Sequence, residues 1–65
     1  MKRQRYPWYT VTLNDMPIQI PSDIDNLDEF SCRGFARNLR TRYSEKKDVE
    51  VKVYRNEVKE TELVF

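Results

Sequence analysis

The chain contains no histidine and only one cysteine and one glycine. Without histidine, the commonest general base, the commonest metal ligand and the usual pH switch are missing. A lone cysteine excludes an internal disulfide and a thiolate-rich zinc site. A lone glycine excludes a Gly-rich phosphate loop. No apolar run approaches the ~20 residues a membrane-spanning helix needs. No apolar signal core follows the basic N-terminus, so export is not expected, and a disulfide-free chain fits a reducing, cytoplasmic setting. An excess of one charge is missing too. Twelve Lys and Arg against 11 Asp and Glu leave +1, which predicts modest non-specific affinity for DNA.

What is present is one small domain. A chain of 65 residues buries only about 60% of the surface its unfolded form exposes. Its core is one thin layer, with a stability of roughly a few kcal/mol. Little volume is left for an enclosed cofactor pocket. Residues 1–7 read as a flexible basic arm and 8–65 as a single domain.

Tyr9, Val11 and Leu13 alternate with Trp8, Thr10 and Thr12, and Ile18 and Ile20 alternate with Pro17, Gln19 and Pro21. Asn14-Asp15 between them tolerates the positive φ of a tight turn. A two-residue turn pairs Leu13 with Met16, Val11 with Ile18 and Tyr9 with Ile20 on the core face. It pairs Thr12 with Pro17, Thr10 with Gln19 and Trp8 with Pro21 on the other. Residues 17, 19 and 21 then aim their amides away from the first strand, and two of them are prolines. The second strand is therefore expected at a sheet edge, with the first strand inside.

Cys32, Phe35, Ala36, Leu39 and Tyr43 share one stripe of a helix. The bulky Phe35 and Leu39 are expected to bridge it to Val11, Ile18 and Val51. Ser22–Asn26 is rich in capping residues, and Asp23, Asp25, Asp28 and Glu29 precede the arginines, the order that the helix macrodipole favours. Leu27 and Phe30 lie off the stripe, so either the first turn is irregular or they pack on the sheet's end. Gly34 falls mid-helix on the exposed side. It costs about 1 kcal/mol against Ala, or it lets something approach the backbone closely. Asp48–Tyr54 reads as a strand, with Val49, Val51 and Val53 inward. Val58–Phe65 reads as a fourth strand; a loop at Arg55-Asn56-Glu57 would pair Lys52 with Glu60 and Val49 with Leu63, and place Lys59 and Thr61 on the core side. The expected fold is α+β: an antiparallel sheet of three or four strands with one helix across one face, ββαβ or ββαββ. This order resembles the layout of β-grasp domains and of many small phage-encoded proteins.

Candidate chemistry is sparse. Arg33, Arg37 and Arg40 form a second helix stripe, expected to leave three guanidinium groups in water. Each is a planar fork suited to phosphates or an acidic partner surface, and Lys46 and Lys47 extend the charge. Replacing all three is expected to leave folding nearly unchanged. Lys2, Arg3, Arg5, Tyr6 and Trp8 interleave cations with aromatics, which suits single-stranded nucleic acid. Trp8 and Tyr54 fall on the sheet face away from the helix, where exposed aromatics mark a binding or subunit surface. The four acids before the helix fit capping better than calcium, for which the Gly turn and the bidentate acid at set spacing are lacking. Cys32 sits on the apolar stripe with no His to activate it, and reads as a buried structural thiol. Glu60-Thr61-Glu62-Leu63-Val64-Phe65 resembles the motif by which proteins dock on bacterial sliding clamps: Gln, two free positions, Leu, one free position, Phe. Leu63 and Phe65 match, and Glu60 stands where the Gln belongs.

These features predict no catalytic residue, no metal and no cofactor. The expected function is a small accessory or inhibitor-type protein that binds a larger protein through Arg33, Arg37, Arg40, Trp8 or Tyr54. The alternatives are a nucleic-acid-binding module and a homodimer through the Trp8 face.

Overall fold

A computed structural model describes residues 6–46 and 48–65. Lys2, Arg3 and Arg5 of the basic arm, and Lys47, lie outside the described residues. The elements are β1 (Trp8–Leu13), β2 (Met16–Ile18), α1 (Glu29–Arg42), β3 (Val51–Asn56) and β4 (Thr61–Leu63). They form one four-stranded sheet in the order β2-β1-β3-β4, antiparallel throughout. The helix packs on β1 and β3.

The first hairpin turns on Asn14 and Asp15, at φ 51° and 66°. Two consecutive left-handed residues give the turn whose twist matches the flanking strands, and Asn and Asp adopt it most readily after glycine. Val11 pairs with Ile18, Thr12 with Pro17 and Leu13 with Met16, as the alternation predicts. β2 lies at the edge and β1 inside, as Pro17 within the strand favours.

The ladder stops at Ile18, however, so the pairs Thr10/Gln19, Tyr9/Ile20 and Trp8/Pro21 do not form. The chain leaves the sheet there, and the Tyr9 amide donates instead to the carbonyl of Asn26 at 2.9 Å. That bond closes the loop before the helix onto β1. Ile20 still packs on the core.

α1 starts later than the capping-rich stretch suggested. Asp28 is the N-cap; its carboxylate accepts from the Phe30 amide at 3.3 Å and from the Ser31 hydroxyl at 2.8 Å. Asp25 forms its own turn, accepting from the Leu27 amide at 2.9 Å. Leu27 therefore lies before the helix. Phe30 lies in the first turn and packs on nothing: it is 85% exposed.

The buried core comprises Tyr9, Val11, Val51 and Val53 from the sheet and Cys32 and Ala36 from the helix. The two smallest side chains of the helix stripe sit at the contact, which lets the helix come close to the sheet. Phe35 and Leu39 close its flanks and stay half-buried. Gly34, by contrast, has no packing duty. A Cβ built there meets nothing within 4 Å. Gly34→Ala is expected to raise stability by about 0.5–1 kcal/mol, through lost backbone freedom in the unfolded chain. A lower urea midpoint in that variant would contradict the open geometry.

β3 begins at Val51, not Asp48, and includes Arg55 and Asn56. The turn falls at Glu57–Glu60, closed by a 2.8 Å bond from the Glu57 amide to the Glu60 carbonyl. β4 is present, but Tyr54 pairs with Leu63, Arg55 with Glu62 and Asn56 with Thr61. The expected register is thus displaced by an odd number of residues, which reverses the faces. Thr61 and Leu63 lie on the outer face, and Val64 and Phe65 pack on the core side. Asn56 fixes this register. Its side chain donates to the Thr10 hydroxyl at 2.8 Å and accepts from the Thr61 hydroxyl at 3.0 Å.

Candidate functional site

The helix covers one face of the sheet. On the other, alternation places Trp8, Thr10 and Thr12 of β1 beside Asn56, Tyr54 and Lys52 of β3, with Thr61 and Leu63 of β4 alongside. Trp8 lies opposite Asn56 and Tyr54 opposite Thr10, so the two aromatics are diagonal neighbours, within reach of one another. Both are half-buried, and Leu63 beside Tyr54 is 53% exposed. Thr10, Tyr54, Asn56 and Thr61, with Asp15, line a shallow depression of about 300 Å³.

Lys52 is the cation that the paired strands place on this face. Its ammonium lies 3.4 Å from carboxylate oxygens of both Asp15 and Glu50. Its pKa is raised, first by the hydrogen bond to Glu50 and then by Asp15. It stays charged, and its charge is offset locally. Thr12, flanked by Lys52 on β3 and Pro17 on β2, is buried although no helix covers this face. The surface is therefore aromatic, hydroxyl-rich and close to neutral.

Trp8 also borders a second feature, which follows from the early end of β2. Beyond Ile18 the hairpin opens into a groove of about 580 Å³, walled by Trp8 and Thr10 on one side and by Ile20, Pro21 and Ile24 on the other. Sequence reasoning missed it because the pairing was expected to continue.

The arginine stripe is not three guanidinium groups in water. Arg33 pairs with Glu29 at 3.1 Å, and its guanidinium lies 5.4 Å from the centre of the Phe65 ring. Arg40 stacks on the same ring at 3.9 Å. Its Nε and Nη2 donate to the Val51 carbonyl at 3.0 and 2.7 Å, and Nη2 donates to the main-chain oxygen of Phe65 at 2.7 Å. These two arginines hold the end of the chain against the helix. The register of β4 brings Phe65 there, which is why the stripe alone did not reveal it. Arg37 is exposed, and its side chain makes no hydrogen bond or ion pair among the described residues. Leu63 and Phe65, the matches to the clamp-docking motif, are separated in function: Leu63 faces out from β4, and Phe65 is held under Arg40.

A network at the other end of the helix was also not foreseen. Glu29 Oε1 accepts from the Tyr9 hydroxyl at 3.2 Å and lies 3.6 Å from Arg55, which also pairs with Glu62. Burial and then the bond to Glu29 raise the Tyr9 pKa, while Glu62 holds Arg55 charged. These bonds tie helix to sheet. They set no nucleophile beside a base.

Cys32 is fully buried, and its thiol donates to the Asp25 carbonyl at 3.4 Å. Burial, with the charges of Asp28 and Asp25, pushes its pKa up to about 11. These effects outweigh the N-terminal end of the helix, which would lower it. Thiol reagents are expected to label the folded protein only at the rate of unfolding; fast labelling at neutral pH would contradict the packing. Because the folded pKa lies above that of the unfolded thiol, the Cys32 contribution to stability is full below pH 9 and is lost as pH rises towards about 11. Among the described residues no group of three or more His, Cys, Asp or Glu side chains could hold a metal ion, and no helix is long and apolar enough to cross a membrane.

Comparison with known protein families, with curated proteins and with solved structures finds no match.

Proposed function

We propose that this protein is a non-enzymatic binding domain that docks on a larger protein through the open sheet face, with Trp8 as the anchor. One observation carries the reading: Trp8 stands half-exposed beside Tyr54 on an uncovered face whose lysine is already neutralised by Asp15 and Glu50. A neutral surface with aromatic anchors suits a protein partner. It suits a phosphate backbone poorly, since affinity there comes from cations that displace counterions. The case against catalysis rests on the missing histidine and on a cysteine held as a buried thiol. An accessory or inhibitor role in the cytoplasm goes with this reading.

Trp8 is the single tryptophan and therefore reports on its own face. Its emission is expected to stay unchanged when single- or double-stranded oligonucleotides are added at ~0.15 M salt. Emission and sedimentation are also expected to be independent of protein concentration. Tight, steeply salt-dependent oligonucleotide binding would move the assignment to nucleic acid, through the arginines or the arm of Lys2, Arg3, Arg5 and Tyr6. A concentration-dependent blue shift would move it to a homodimer.

A further inference from the structure

The solvent side of α1 carries a constellation that the fold does not use. Phe30 is 85% exposed. One turn on, Gly34 has nothing within 4 Å of where its Cβ would stand, and its φ is not positive. Neither packing nor backbone geometry calls for glycine there. A further turn on, Arg37 extends without a side-chain partner among the described residues. Positions 30, 34 and 37 lie on one face of the helix. With Arg33 they enclose a notch of about 220 Å³.

We propose that this strip is a second docking surface, independent of the sheet face, and that its occupant is an acidic helix of a partner protein. Charge sets the partner's sign. α1 carries Arg33, Arg37, Arg40 and Arg42 against Glu29 alone, so the helix is strongly positive although the whole chain is +1. Glu29 offsets Arg33, and Arg40 is taken up by the main-chain oxygens of Val51 and Phe65, so Arg37 supplies the open positive charge of the strip. Shape sets the partner's form. A glycine flanked by a ring and a guanidinium exposes a bare stretch of helix backbone, which lets a second helix pack closely across it. An apolar side chain of that helix lies on Phe30, and a carboxylate one turn away takes the fork of Arg37. Phosphates favour a row of cations. Here one unengaged guanidinium stands beside an apolar ring, which an amphipathic acidic helix satisfies better.

The probe is a phage-displayed library of helical peptides randomised on one face, selected on the full folded chain. Gly34→Leu and Arg37→Glu serve as comparison targets. Gly34→Leu fills the notch and is expected to raise the thermal midpoint, so lost binding in it reports occlusion and not unfolding. The expected result is enrichment of peptides with Asp or Glu one turn from an apolar residue. These should bind the unaltered chain at least about tenfold more tightly than either variant. They should also shift the amide signals of residues 30–37 while Trp8 emission stays fixed. The proposal is overturned by enrichment of basic or neutral peptides, by equal binding to Gly34→Leu, or by no enrichment. Self-association lost in Gly34→Leu would assign the strip to a second copy, and tighter oligonucleotide binding at the same residues would assign it to nucleic acid.

Discussion

Arg40→Gln is expected to lower the unfolding free energy by about 2–3 kcal/mol and to free the end of β4. A charged donor's hydrogen bond contributes about 1.5–3 kcal/mol, and an exposed cation–ring stack about 0.5–1 kcal/mol. Arg40 makes both, with Val51 and with Phe65. It lies at the solvent surface, so screening holds the total below the sum of the upper values. In a domain stable by roughly a few kcal/mol the loss leaves a substantial unfolded fraction. Arg40→Lys should recover little, because an ammonium keeps the charge but neither the fork nor the stack. Urea unfolding gives the energy. Hydrogen exchange at the Val64 amide, which bonds to the Val53 carbonyl at 2.9 Å, shows whether β4 is released. Arg37→Gln is the control and should stay within about 0.5 kcal/mol of the unaltered protein. Equal stability of the Arg40 and Arg37 variants would return Arg40 to a solvated face. The arginine stripe thus divides, and a triple replacement would confuse unfolding with lost binding.

This division shows where the sequence was legible. The first hairpin could be read because three independent signals agree there: the alternation, the Asn14-Asp15 turn and the placement of the prolines. A slip of one residue would turn Val11 away from the core, so local pattern and tertiary burial enforce the same register. The helix could be read because its stripe has one period and one face. The last strand could not be read in the same way. Lys59, Glu60, Thr61 and Glu62 offer no apolar alternation, and β4 is held by tertiary partners that local sequence does not announce: Asn56 on Thr61, Arg55 on Glu62 and Arg40 on Phe65. Glu29 and Arg33, four residues apart on the helix, are legible as an ion pair and form it. Arg40 looks free from the helix pattern alone because its partner Phe65 lies 25 residues further along the chain. The aromatic sheet face was legible from period two. The groove beside it was not, since it opens where the pairing stops short.

The second large effect is expected at that face. Trp8→Ala should weaken binding to the protein partner by about 30-fold or more, the effect of losing about 2 kcal/mol at a buried aromatic anchor. Tyr54→Ala should weaken it less, because Tyr54 lies inside the sheet while Trp8 also walls the groove beyond Ile18. The affected contact is apolar and Lys52 is already paired, so affinity should fall only shallowly as salt rises. Folding should survive the change. Trp8 heads β1 on the uncovered face, outside the cluster of Tyr9, Val11, Cys32, Ala36, Val51 and Val53, and an unchanged circular dichroism spectrum and urea slope would establish this. Arg37→Glu separates the two surfaces. If the sheet face is the principal site, Arg37→Glu leaves affinity within about threefold while Trp8→Ala abolishes most of it. The reverse pattern, with Trp8→Ala silent and Arg37→Glu severe, would make the helix strip the principal site and leave the aromatic face as exposed sheet.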